Sequence, residues 1–252
     1  MALLFDGTND IVNHGTVYGS SVSVLSSAMW VNPVAIAISD GFWEKGTLTN
    51  LLKFGTHYTT NTQVDVWFNN TPILGRTDAV LANGTWTHCA FTYNGGGAAN
   101  ADRLQIYING VAQTLTFEGT IPATTGASGA DSVKVATNTL NGTFANYQFF
   151  DLKIWDAYLS ADEIYKEAWS YRPVRTDNLR LWTPYDDGIL ATDYSGNGFN
   201  GTVTEATQNS LQPPNVHYAD QALGRVRNAR RWNSTRGMRR NPSVSAVSPK
   251  EY

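Results

Sequence analysis

A strand followed by a tight hairpin constrains this chain most. Thr85-Trp-Thr-His-Cys-Ala-Phe-Thr-Tyr93 has a period of two, with Trp86, His88 and Ala90 on one face and Thr85, Thr87 and Cys89 on the other. After a glycine-rich loop, Leu104, Ile106 and Ile108 alternate with Gln105 and Tyr107 as far as Asn109-Gly110. Asn-Gly accepts positive φ at both central positions of a two-residue turn, so the dipeptide joins antiparallel strands. The stretch fixes a fold class and names no reaction.

Composition points the same way. Of 252 residues, 42% are hydrophobic and 15% charged, which is enough for a sizeable core and too little charge for a disordered chain. The 8 Trp, 12 Tyr and 22 Gly suit sheets and turns better than helices. Cys89 is the single cysteine, which excludes an intrachain disulfide, and its apolar strand predicts a buried, inert thiol. Met1-Ala-Leu-Leu-Phe-Asp-Gly7 lacks a basic start and turns polar early, unlike a secretory signal. No apolar run approaches the roughly 18 residues that span a bilayer. The expectation is a protein made in the cytoplasm without export and with no membrane partner.

Further strands are predicted at Leu3–Val12, broken by a turn at Asp6-Gly7, and at Val22–Pro33, Leu51–Phe54, Gln63–Phe68, Val133–Val135, Phe144–Trp155 and Leu179–Tyr185. Short strands between Gly, Asn and Thr turns mean an all-β sandwich or barrel. One short helix stands out: Ser160-Ala-Asp-Glu163 is a capping box, Ile164 and Ala168 pair at i, i+4, and Pro173 lies just beyond. Periodicity fades between 203 and 218. From Ala219 to Tyr252 there are seven Arg and one Lys against Asp220 and Glu251, a net +6 within an overall −3, which leaves −9 for the rest. An acidic body at 1–218, with 173–218 as a closing strand and loop extension, therefore precedes a basic extended tail at 219–252.

Six stretches, in order, resemble the laminin-G-like domains of bacterial and phage type in the concanavalin A-like superfamily. They are Leu4–Val12, Ala28–Pro33, Gly84–Ala90, Leu104–Gly110, Asp151–Trp155 and Leu159–Ile164. The resemblance covers 1 to about 170 and implies a concanavalin A-like jelly roll of two antiparallel sheets, with Trp30, Trp86 and Trp155 at core positions. Ser195–Thr202 resembles a piece that usually stands before the first strand; here it follows the helix, and it either closes the sandwich from the other end or begins a decayed second copy. The first is favoured, because too few residues remain for another core. The family serves mostly in binding and scaffolding.

A retaining glycosidase of the laminarinase type needs Glu-x-Asp-x-(x)-Glu on one strand, so that two carboxyls flank the scissile bond at roughly 5 Å. None of Glu44, Glu118, Glu163, Glu167, Glu205 and Glu251 has Asp two residues on. No Gly-x-Ser-x-Gly elbow exists, and His14, His57 and His217 show no ligand spacing. His88 reads as a core histidine satisfied by a backbone partner. No catalytic residue and no cofactor is expected. The resemblance leaves room for a structural calcium held by Asp6, Asp10 and Asp151; the plainer reading caps turns with Asp6 and Asp10. Sugar would need aromatic platforms, for which Trp43, Tyr58 and Trp67 are the candidates.

In the tail, Arg225, Arg227, Arg230, Arg231, Trp232, Arg236, Arg239 and Arg240 fit docking on acidic surfaces of neighbouring subunits, in a homo- or hetero-oligomer, better than a solvated solubility tail or nucleic acid. Two functions follow. The first is a structural, non-enzymatic virion component, such as a phage-like capsid decoration or tail protein, displayed on the virion surface and anchored by its tail. The alternative is a carbohydrate-recognition or adhesion module of a bacterial or phage surface, cell-surface or secreted.

Overall fold

The computed structural model describes residues 1–214 except 48, 70–72, 130 and 140. Met1–Val216 forms one compact unit; the remainder, His217–Tyr252, lies outside the described residues, and so do the tail arginines and Trp232.

The first sheet contains β1 (Ala2–Leu4), β3 (Val24–Ala35), β8 (Thr87–Asn94), β9 (Leu104–Ile108), β10 (Val111–Ala112), β15 (Asn146–Trp155), β16 (Leu179–Thr183) and β18 (Thr207–Asn209). The second contains β2 (Ile11–Asn13), β4 (Gly41–Lys45), β5 (Leu52–Thr56), β6 (Gln63–Phe68), β7 (Ile73–Ala79), β11 (Thr116–Glu118), β12 (Val133–Val135) and β17 (Thr202–Thr204). A small hairpin joins β13 (Thr137–Asn138) to β14 (Thr143–Phe144), and the helices are α1 (Asn100–Arg103) and α2 (Ala161–Trp169).

The first sheet runs β10-β9-β8-β3-β15-β1-β18, with β16 on the later half of β15; the second runs β11-β7-β6-β5-β4-β12-β2-β17. Leu25, Met29, Val31, Cys89, Phe91 and Phe149 from the first sheet meet Phe42, Trp43, Phe54, Val64, Val66 and Phe68 from the second. Phe42 is a hub, its ring 5.3 Å from Phe54 and 6.1 Å from Phe149. The sandwich of two antiparallel sheets is as the sequence implied, and so is the buried Cys89, whose thiol burial pushes upward.

Asn109 and Gly110 link β9 to β10 with φ of 51° and 78°, the geometry the Asn-Gly dipeptide predicts. The Ser160 hydroxyl accepts from the Glu163 N–H at 3.3 Å, and the Glu163 carboxylate accepts from the Ser160 N–H at 2.8 Å. This closed capping box starts α2 at the expected place. The helix lies on the outer face of the first sheet, where Ile164 packs with Ala28, Ala90, Tyr107, Trp155 and Leu159 in a second small core.

Four expectations need correction. Leu3–Val12 is two strands in different sheets, because Asp6 and Gly7, the latter at φ 82°, turn the chain across the sandwich edge. A second helix, the short α1, was not foreseen. Trp86 precedes β8 and is half-buried, whereas Trp30 and Trp155 are buried as expected. His88 is buried, yet its Nδ1 has no hydrogen-bond partner among the described residues. Its ring instead meets the edge of Trp30 at 5.5 Å, and burial, helped by Lys153, lowers its pKa to about 3.

Residues after the helix complete both sheets: β17 pairs with β2 and β18 with β1. The turn between β16 and β17 is wound on Asp193. Its carboxylate accepts from the N–H groups of Trp182, Ser195 and Phe199 at 3.2, 2.8 and 2.9 Å. The Phe199 carbonyl lies 2.8 Å from His14 Nδ1, which ties the loop to β2. Ser195–Thr202 is thus a closing element of the same sandwich.

Candidate functional site

Alternation along β6 sends Val64, Val66 and Phe68 into the core, so Asp65 and Trp67 project from the outer face of the second sheet. On β5 the same rule buries Leu52 and Phe54 and turns Lys53 outward. Cross-strand register then sets Lys53 opposite Trp67, Asp65 opposite Arg76, and Glu118 opposite Leu74. The His57 N–H donates to the Gln63 carbonyl at 3.0 Å and closes a hairpin whose tip carries Tyr58.

These residues form a charged network. Lys53 Nζ lies 3.1 Å from Asp65 Oδ1 and donates to the Thr56 carbonyl at 2.7 Å, with both charged side chains buried. Neither Asp65 oxygen has a well-aligned hydrogen bond, so the pair is held by charge. Burial pushes the Asp65 carboxyl up to about 6, with Lys53 opposing. Arg76 donates to Glu118 Oε1 at 2.7 Å and to His57 Nε2 at 2.9 Å. On its other side, His57 Nδ1 accepts from the Thr59 N–H at 3.2 Å and lies 3.0 Å from the Thr59 hydroxyl. Burial, then the Arg76 charge, holds the His57 pKa below its ordinary value. The Tyr58 hydroxyl donates to Glu118 Oε2 at 3.0 Å, a bond that raises the phenol's pKa.

The aromatic part of the face is compact. Tyr58 meets Trp67 edge-on at 5.3 Å and lies 4.3 Å from the His57 ring. Trp67 is 9% exposed, donates through Nε1 to the Asn69 carbonyl and lies under the Lys53 ammonium at 5.8 Å. Tyr58 is half-buried, and the Arg76 and Glu118 side chains are 25% and 26% exposed. What solvent meets here is one tyrosine ring, the rim of a tryptophan, a guanidinium and a carboxylate. Rings beside fixed donors and acceptors are what a sugar's C–H face and hydroxyls require.

The structure brings together two of the three aromatic candidates. Trp43 is excluded as a platform: it is fully buried against Phe91 at 6.0 Å and donates to the Ser27 hydroxyl at 3.0 Å. The shift of register between Gly41 and Trp43 turns both Phe42 and Trp43 inward, which plain alternation forbids.

The calcium set does not assemble. Asp10 Oδ2 accepts from the Asp6 N–H at 2.8 Å and Asp6 Oδ1 from the Thr8 N–H at 2.8 Å, so both carboxylates cap the turn. Asp151 is buried beneath α2, 3.1 Å from Lys153 Nζ, which also meets Glu167 at 3.0 Å. Among the described residues no group of three His, Cys, Asp or Glu side chains could hold a metal.

Lys53, Asp65, Arg76 and Glu118 were missed from sequence. The first two carried a signal: a lysine and an aspartate at outward positions of otherwise apolar strands, on the same face as Trp67. The other two become neighbours only through the pairing of β7 with β11, which sequence spacing does not reveal.

Residues 6–165 match the family model Laminin_G_3 of the concanavalin A-like lectin/glucanases superfamily, and the chain belongs to that family. No curated protein matches it in sequence. Among solved structures it is similar to a protein of Bacteroides ovatus assigned to carbohydrate binding, with a TM-score of 0.63, 14% identity, and coverage of 84% of this chain and 60% of that one. This chain thus spans about 60% of the Bacteroides protein's length. It is also similar to domain 4 of AbnA, a GH43 extracellular arabinanase of Geobacillus stearothermophilus, in complex with arabinotriose (TM-score 0.53, 21% identity, 66% of this chain and 76% of that one). A third is the heptameric SAP-like pentraxin of Limulus polyphemus (TM-score 0.55, 12% identity, 83% and 95%). At these identities the likeness is one of fold.

Proposed function

We propose that this chain is a non-catalytic carbohydrate-recognition module that holds sugar on the outer face of its second sheet. Tyr58 stacks on the sugar ring, Trp67 backs it, and Arg76 and Glu118 meet hydroxyls. The observation that carries the reading is the Tyr58–Trp67 pair beside a partly exposed, mutually bonded Arg76 and Glu118. The Bacteroides ovatus protein assigned to carbohydrate binding and the arabinanase domain bound to arabinotriose support it as relatives in fold.

The test is a glycan array probed with the full chain. Binding to at least one glycan class is expected, with Tyr58→Ala weakening it about ten-fold, the scale of a lost stacking ring. An array without signal, or an unimpaired Tyr58→Ala, sinks the reading. The charge asymmetry supports a separate proposal, a virion subunit docked through Arg225 to Arg240. Its test is removal of residues 219–252, which should abolish incorporation into a particle; unchanged incorporation ends it.

A further inference from the structure

We infer that the face accepts neutral glycans and turns acidic ones away, with Glu118 as the specificity-determining residue. The inference rests on the sugar-binding reading above and adds the class of ligand.

A carboxylated sugar needs an unspent cation. Among the described residues, the two cations at the Tyr58 end of this face are both engaged. Lys53 is buried against Asp65 and the Thr56 carbonyl. Arg76, the exposed one, faces Glu118 at 2.7 Å and His57 at 2.9 Å. Lys134 on β12 stands opposite Glu44, four strand spacings from β7, or roughly 19 Å away. A uronate or sialate beside Tyr58 would therefore have to displace Glu118 from Arg76 or settle against its carboxylate, and both oppose binding.

A neutral sugar meets no such obstacle. Glu118 keeps lone pairs beyond the two bonds it accepts from Tyr58 and Arg76. Arg76 keeps N–H groups beyond the two it donates. Hydroxyls donate to the first and accept from the second. By holding Tyr58 through its hydroxyl, Glu118 also fixes the ring on which the sugar lies.

The experiment compares neutral oligosaccharides with uronate- and sialate-bearing counterparts of the same linkage, by calorimetry on the full chain. The parent should bind the neutral member at least about ten-fold more tightly, the worth of one unfavourable charge contact. Glu118→Gln keeps the shape and frees the guanidinium, so it should gain at least about ten-fold toward the acidic member. In Arg76→Gln/Glu118→Gln that gain should vanish. A parent that prefers acidic sugars overturns the inference without a variant, as does an unchanged ratio in a folded Glu118→Gln. A parent that binds neither kind removes the sugar-binding reading itself, which is a different failure.

Discussion

Asp65 and Lys53 make the sharpest test of the site at the scale of single residues. The folded pKa of Asp65 lies near 6, above the ordinary 3.8, because the charged form is buried. The native state then holds this proton more tightly than the unfolded chain does. The group's contribution to stability is full below the ordinary value and is lost as pH rises through about 6. Asp65→Asn keeps the neutral form at every pH. The stability of the variant relative to its parent should therefore rise by roughly 3 kcal/mol as pH climbs from about 4 to about 7. Urea unfolding at several pH values measures this; a difference that does not change with pH would mean that Lys53 compensates the carboxylate fully. Lys53→Met has the opposite sign, since it strands a buried carboxylate, and should cost roughly 3–5 kcal/mol near pH 7. Part of this was legible. Tyr58 and Trp67 were named as aromatic candidates, but Trp43 was misjudged because a one-residue register shift is invisible in a pattern of two.

The helix and the hairpin show local chemistry deciding structure at the scale of elements. Ser160→Ala opens the capping box and should cost about 1 kcal/mol, read as a lower denaturant midpoint with an unchanged slope. Gly110 has φ of 78°, and a Cβ there would lie 3.0 Å from Tyr165 Cα of α2. Gly110→Ala should therefore lose roughly 1–3 kcal/mol, through backbone strain and a pushed helix together. Such elements carry their instructions in neighbouring residues, and both were read correctly. Strand β7 was not, because Gly75 interrupts its pattern. That glycine faces inward where a Cβ would come within 2.8 Å of Leu104 and 2.9 Å of Phe117, a reason that exists only in the assembled sandwich. Strand β4 was lost for the related reason that Phe42 and Trp43 both enter the core.

The sandwich as a whole is finished by residues that the family match does not reach. The match ends at 165, while β16, β17 and β18 lie beyond it and cover β15, β2 and β1. A chain ending after residue 170 leaves those edges open and strips His14 of its bonds to Phe199 and Tyr185. It should aggregate, whereas one ending after residue 216 should unfold within a few degrees of the full chain. Thermal scans and gel filtration separate the two outcomes, and a soluble, folded short form would show that the closing strands are dispensable. The two-layer architecture was legible because apolar alternation is a whole-chain property; the closing role of Ser195–Thr202 was weighed from its resemblance and became plain only in the pairing. That pairing also sets how the body answers a pull. Ala2 stands opposite Asn209, so the chain enters and leaves the sheet at the same end of one antiparallel pair. Force applied between these two ends meets the hydrogen bonds one after another, as in a zipper, and peels β18 from β1 before it can load the core. Tethered between two bodies, the domain would give way first at this seam.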